Sequence, residues 1–112
     1  MQLADYLDKD LILPDLKSDT KSEVLEELLS PLQEKMEELD AAKARDILLE
    51  REKLGSTGIG HGVALPHPRQ PIAGMFPEPV VVFGVCPKGT DYQAIDDQLV
   101  HADALSRFSM ET

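Results

Sequence analysis

A single cysteine, Cys86, leaves this chain no way to brace itself with an internal disulfide. No apolar run approaches the roughly 20 residues needed to cross a bilayer. The opening Met1-Gln2-Leu3-Ala4-Asp5 lacks the basic flank of a secretory signal. Together these absences predict a cytoplasmic, reduced protein with no membrane insertion. Basic residues are scarce as well: 11 Lys and Arg stand against 21 Asp and Glu, a formal net charge of -10. A surface of that sign repels phosphate backbones and anionic headgroups, so neither nucleic acid nor a membrane surface is an expected partner.

No internal repeat, linker or low-complexity segment divides the 112 residues, and a single domain over 1–112 is expected. A chain of this length buries about two-thirds of the surface its unfolded form exposes, enough for a modest core. Leu3, Leu7, Leu11 and Leu13 have mixed spacing before Pro14-Asp15, which predicts a short helical turn and then a brief extended piece.

Thr20-Lys21-Ser22-Glu23 has the form of a capping box, so a helix should begin at Lys21 with Val24, Leu25, Leu28, Leu29 and Leu32 as its buried stripe. Pro31 removes a backbone donor and crowds the preceding turn, which predicts a kink or an end near Ser30 unless it opens a new turn. Asp40 is a good N-cap for a second helix, Ala41 to about Lys53, with Ala44, Ile47, Leu48 and Leu54 on its face and Gly55 at its end. Arg51 then lies in the last turn.

The run Val80-Val81-Val82-Phe83-Gly84-Val85 reads as a strand covered on both faces and central to a sheet. Pro87-Lys88-Gly89 should turn the chain into another short extended piece, Thr90 to Ile95. Pattern alone leaves α/β and α+β equally open.

Between these elements, residues 54–69 gather unusual backbone and reactive side chains. Gly55, Gly58, Gly60 and Gly62 fall within eight residues, more freedom than a buried strand requires. Leu65 and His67 each precede a proline, which drives them into extended geometry, so His67 is presented from a stiff segment. The whole reads as an active-site loop. For a lone histidine the ordinary reading is a turn residue satisfied by backbone, and Arg51 alone reads as a cation favouring a helix C-terminus. A metal site of His61, His67 and Asp96 suits zinc chemistry, but the six-residue histidine spacing fits no standard zinc motif, and no metal is expected.

The glycine run followed by Val63-Ala64-Leu65-Pro66-His67, with Leu48-Leu49-Glu50-Arg51-Glu52-Lys53-Leu54-Gly55 upstream, resembles the enzyme IIA domains of the fructose/mannitol class of the bacterial phosphotransferase system. The nitrogen-regulatory branch is the nearer likeness, and the match runs from about Thr20 to Asp97. The resemblance implies an α/β fold, a mixed sheet flanked by helices. It implies that His67 is the phosphorylated residue and that Arg51 holds the family's arginine position. It further implies an HPr-type phosphocarrier as donor, a downstream IIB component or regulatory target protein, and no cofactor. Imidazole suits the task because its reference pKa is near 6.5. A guanidinium that binds two phosphoryl oxygens lowers the transfer barrier.

The amides of Ser56, Thr57, Gly58, Gly60, His61 and Gly62 are candidates for a phosphate nest. No lysine follows these glycines, so the run is not a Walker loop. Relatives commonly hold a second histidine near the first, but neither His61 nor His101 occupies a matching position. A donor-docking patch of Ile59, Val63 and Met75 is expected beside the loop. A sugar-transport IIA and a non-catalytic interaction module are the alternative readings.

After Asp97 the resemblance ends. Leu99, Val100, Leu105, Phe108 and Met110 are too sparse to announce a buried strand and closing helices, and the tail, 98–112, reads as a truncated or frame-shifted end. An open sheet edge and an uncovered apolar face are therefore expected, and with them a homo-oligomer.

Overall fold

Capping residues set where the helices start. The computed structural model describes residues 9–35, 40–68 and 80–107. Helix α1 is Lys21–Lys35 and helix α2 is Ala41–Glu52. Asp40 Oδ1 accepts from the Lys43 amide at 3.0 Å, as an N-cap should. At Thr20 the box is altered: the Glu23 amide reaches the Thr20 hydroxyl at 3.4 Å, and that hydroxyl donates to the Glu23 carboxylate at 2.9 Å.

Helix α1 does not end at Ser30 but runs through Pro31, because Leu32 beyond it is buried in the stripe with Val24, Leu25, Leu28 and Leu29. Burying a leucine contributes about 1.5–3 kcal/mol, which rivals the roughly 3 kcal/mol a proline costs inside a helix. On α2 the buried face is Ala44 and Leu48, while Leu54 is exposed. The expected turn near the amino end is a 3-10 turn at Lys9–Leu11 followed by strand β1, Ile12–Leu13. Leu3 and Leu7 lie outside the described residues.

The strands that follow are β2, Gly58–Gly60, β3, Val63–Ala64, β4, Val80–Thr90, and β5, Val100–Arg107. They form one mixed sheet in the order β1-β4-β5-β3-β2. Expectations for β4 need correction. Pro87-Lys88-Gly89 does not turn the chain but bulges within β4. Val85 pairs with Ala102 and Thr90 with Val100, so four residues of β4 oppose one of β5. Gly89 permits the bulge with φ of 87°, where a Cβ would lie 2.8 Å from that of Leu99. Nor is β4 the central strand.

The centre is β5, within the segment expected to hold no strand. Its residues Val-His-Ala-Asp-Ala-Leu-Ser-Arg carry little β-propensity, and its place is secured by hydrogen-bonded ladders on both sides, antiparallel to β4 and parallel to β3. The edges are short, and the outer side of β4 is further engaged when Leu16 donates to Val85 and Asp91 to Asp19. On its other side β5 pairs with β3 only at Ala102 and Asp103, so among the described residues 104–107 have no strand partner there, in line with the open edge expected.

Helix α1 lies on the sheet and α2 packs on α1. Gly84 faces that layer so closely that a Cβ there would meet Leu16 Cδ1 at 2.6 Å and Leu28 Cδ2 at 3.0 Å. The opposite face is only partly covered, against the expectation for β4. Phe83 and Ile12, paired across β4 and β1, are 38% and 41% exposed. In register with them lie Ala104 and, one step past β3, Leu65.

Asp103 sits in the middle of β5 opposite Gly84, fully buried, and neither of its carboxylate oxygens has a hydrogen-bond partner. Burial, aided by the charge on Glu27, raises its pKa to about 7. An acid whose folded pKa is raised binds more protons folded than unfolded between the two values. Its effect is therefore a stability that falls as pH rises from about 4 to about 7. Asp103→Asn should flatten that fall and leave the protein more stable above neutral pH, by up to about 4 kcal/mol, as read by urea melts across the range. Parallel pH profiles in the two proteins would contradict this.

Candidate functional site

At the end of α2 the chain folds back on itself. Leu54 donates to the Arg51 carbonyl and Gly55 to that of Glu52, each at 3.1 Å. Gly55, at φ of 144°, makes the exit. The Arg51 guanidinium is half-buried and donates from Nη1 to the Gly55 carbonyl at 2.7 Å.

The next residue, Glu52, points inward. Its Oε1 accepts from the Thr57 amide at 3.0 Å and from Lys21 Nζ at 3.0 Å, and its Oε2 accepts from the Thr57 hydroxyl. Thr57 Oγ1 in turn lies 2.9 Å from the Tyr92 hydroxyl. Burial pushes the Tyr92 pKa well above the usual phenol range, so it stays protonated and donates here. Lys21 Nζ also stands 4.9 Å from the centroid of the Tyr92 ring.

From Thr57 the order passes to His67. The Thr57 carbonyl accepts the Leu65 amide at 3.0 Å, extending the β2–β3 pairing past the strand ends. The Leu65 carbonyl lies 2.8 Å from His67 Nδ1. A carbonyl only accepts, so Nδ1 carries the hydrogen and Nε2 keeps its lone pair. Two residues beyond Leu65 is His67, and two before Thr57 is Gly55, the partner of Arg51. The half-buried imidazole and the guanidinium are thus brought to one end of the β2–β3 pair without a hydrogen bond between them.

The remaining candidates divide. Ser56 Oγ accepts the Gly58 amide at 3.0 Å, and the Thr57 amide is taken by Glu52. Gly58 is a glycine for packing, since a Cβ there would lie 2.7 Å from that of Ala94. Gly60, His61 and Gly62 make the turn at the other end, with φ of 97°, 57° and 77°. There the His61 amide donates to Asp96 at 3.3 Å. The Gly62 carbonyl accepts from His101 and Ala102, and His101 Nδ1 bonds the Cys86 carbonyl at 3.1 Å. From Val63 to His67 is four extended residues, roughly 13 Å. The single nest expected from Ser56 to Gly62 is therefore split between two ends, and His61 with Asp96 stands apart from His67. Among the described residues no cluster of three metal-ligating side chains exists.

Glu52, Thr57, Lys21 and Tyr92 as a buried network were not foreseen. A glutamate beside an arginine at a helix end reads as solvated, and only the tertiary fold turns it inward.

With this geometry in place, relatives are informative. Residues 5–103 match the family described as "Phosphoenolpyruvate-dependent sugar phosphotransferase system, EIIA 2", and the chain belongs to that family. The match extends beyond the Thr20 to Asp97 expected and takes in the first residues of β5. A nitrogen regulatory protein of Bradyrhizobium diazoefficiens is 35% identical over 106 residues, 89% of this chain and 63% of that protein. The PTS system fructose-specific EIIABC component of Bacillus subtilis is 31% identical over 101 residues, 90% of this chain and 15% of that one. The chain thus spans less than two thirds of the length of either relative.

Among solved structures, nitrogen regulatory protein IIA-Ntr from Neisseria meningitidis superposes with a TM-score of 0.83 at 28% identity, over 98% of this chain and 73% of that one. Escherichia coli enzyme IIAMTL, solved in complex with phosphorylated enzyme IIBMTL, shares the fold. Its TM-score is 0.77 at 21% identity, over 94% of this chain and 72% of that one. The likeness to these domains establishes a mixed five-stranded sheet with two helices as a phosphotransferase-system IIA fold. Among the described residues no helix is long and apolar enough to cross a membrane.

His61 holds a left-handed backbone on an exposed turn, which costs a side chain about 1–2 kcal/mol. Replacing it with glycine relieves that strain but loosens the unfolded chain, so His61→Gly should gain up to about 1 kcal/mol in a chemical melt. A loss of stability would mean that the His61 ring makes a contact worth more than its strain.

Proposed function

We propose that this chain is a phosphocarrier of the nitrogen-regulatory IIA type, in which His67 accepts a phosphoryl group from the phosphohistidine of an HPr-type protein in the cytoplasm. The supporting observation is the His67 Nδ1 bond to the Leu65 carbonyl, which leaves Nε2 as the nucleophile. The Nε2 lone pair attacks phosphorus, a new N–P bond forms, and the donor's N–P bond breaks with its electrons returning to the donor imidazole. The positive charge gained by the His67 ring is shared through Nδ1–H with the Leu65 carbonyl. Arg51 spends one N–H on Gly55 and offers its others to the phosphoryl oxygens. Ser56, between Gly55 and Thr57 at the same end of the pair, is the loop candidate retained for this role.

The group then passes to a IIB component, or its presence is read by a regulatory target protein. The likeness to the two nitrogen regulatory proteins favours the second outcome. Transport of a sugar is the other reading, favoured by the fructose-specific relative. Ile59 is half exposed at 50% and Val63 partly so, a surface on which the donor docks, steered by the chain's net charge. Met75, the third member of that patch, lies outside the described residues. A second copy of the chain would cover the row of Ile12, Phe83 and Leu65 on the open sheet face. Concentration-dependent sedimentation is then expected, and a monomer at high concentration would contradict it.

Incubation with a phosphorylated HPr-type donor should give an acid-labile mass gain. His67→Ala should abolish it with the fold intact. Arg51→Lys, which keeps the charge but loses the fork, should slow it about tenfold or more. Normal acceptance by His67→Ala would refute the carrier reading and leave an interaction module. An unchanged rate in Arg51→Lys would return that residue to a helix-end role.

A further inference from the structure

We infer that Glu52 is a positioning residue for the reacting histidine, acting through Thr57 and Leu65, an inference that rests on the carrier reading of His67. The path is continuous. The Glu52 carboxylate holds both the amide and the hydroxyl of Thr57. The Thr57 carbonyl holds the Leu65 amide, and the Leu65 carbonyl holds the His67 ring through Nδ1. Turning the Leu65 carbonyl away would free the ring to adopt the other tautomer, with hydrogen on Nε2 and no nucleophilic lone pair there.

The carboxylate is suited to fixing this path because its orientation is over-determined. Lys21 from the first turn of α1 binds Oε1 as an ion pair whose side chains are only 13% and 4% exposed. Tyr92, entering after β4, donates to the Thr57 hydroxyl, so the chain of donors ends on Glu52. Three separate segments thus converge on one carboxylate, and the backbone it holds is the one that carries Gly55, the partner of Arg51, on one side and Leu65 on the other. Such donor chains strengthen one another in a buried setting.

The test compares Thr57→Val, Thr57→Ser and Glu52→Gln with the wild type, all checked for folding by circular dichroism. Long-range proton–nitrogen NMR of the His67 ring is recorded at about pH 8, above the reference imidazole pKa, and phosphoryl acceptance is timed with a phosphorylated HPr-type donor. Wild type and Thr57→Ser, which keeps the hydroxyl, should show the Nδ1–H tautomer and matching rates. Thr57→Val and Glu52→Gln should show a tautomer mixture and rates lower by about tenfold or more. Should Glu52→Gln fail to fold, Thr57→Val decides. A folded Thr57→Val protein with the wild-type tautomer overturns the inference, whether its rate is unchanged or reduced. If the wild type itself accepts no phosphoryl group, the carrier reading fails, while the tautomer comparison still decides the positioning role.

Discussion

The Glu52 carboxylate is buried at the end of α2 with donors on both oxygens, and the Thr57 backbone it holds is bonded in turn to Leu65, whose carbonyl meets the His67 ring. Removing a carboxylate and an ammonium from water costs several kcal/mol each in effective terms, and the pair is tolerable only with further hydrogen bonds in place. That requirement fixes three otherwise distant pieces of chain. Lys21 must stand in the first turn of α1, Thr57 must enter β2 at that point, and Tyr92 must return to meet it. A side chain that demands so much satisfaction leaves the loop between Gly55 and Thr57 little choice of path. Flexible glycines alone would give this stretch freedom but no definite shape.

Asp103 is the counter-example within the same core. It lies in the middle strand beneath α1, where both oxygens lack partners, and its raised pKa follows from that isolation. The two carboxylates show why burial alone says little about a charge: one organises its surroundings and the other opposes the fold as it ionises. The ladders that hold β5 on both sides must carry this cost, along with that of a strand built largely of small and polar residues.

The helices were legible because their signals are local. Capping residues and an apolar stripe placed both starts and, with the terminal glycine, the end of α2 nearly to the residue, while Pro31 misplaced the end of α1 by about a turn. The β-branched run announced β4 for the same reason. Strand β5 was not legible, since its place depends on neighbours rather than on its own alternation, and a buried aspartate breaks the pattern a reader looks for. The Pro87-Lys88-Gly89 bulge also reads locally as a turn, and only the register with β5 shows the strand resuming at Thr90. At the site, the Gly-rich run and the paired prolines drew attention to His67, and the family likeness to Arg51. The tertiary contacts explain what no spacing displayed: Thr57 and Gly58 serve the scaffold, and His61 occupies the far turn.

The chain belongs to the IIA family, and the carrier role proposed for it asks little of the protein: one ring nitrogen with its lone pair free, one fixed cation at the same end of the β2–β3 pair, and a ring that cannot turn. In that proposal the Leu65 carbonyl, bonded to His67 Nδ1, provides the first and last, and Arg51, beside Glu52 on α2, provides the cation. The most direct measurement is the position of the phosphoryl group itself, read by nitrogen–phosphorus couplings and long-range proton–nitrogen correlations in the protein after reaction with a phosphorylated HPr-type donor. A phosphoryl group on Nε2 of His67, with hydrogen on Nδ1, is the expected result. A group on Nδ1 of His67, or on His61 or His101, would contradict it.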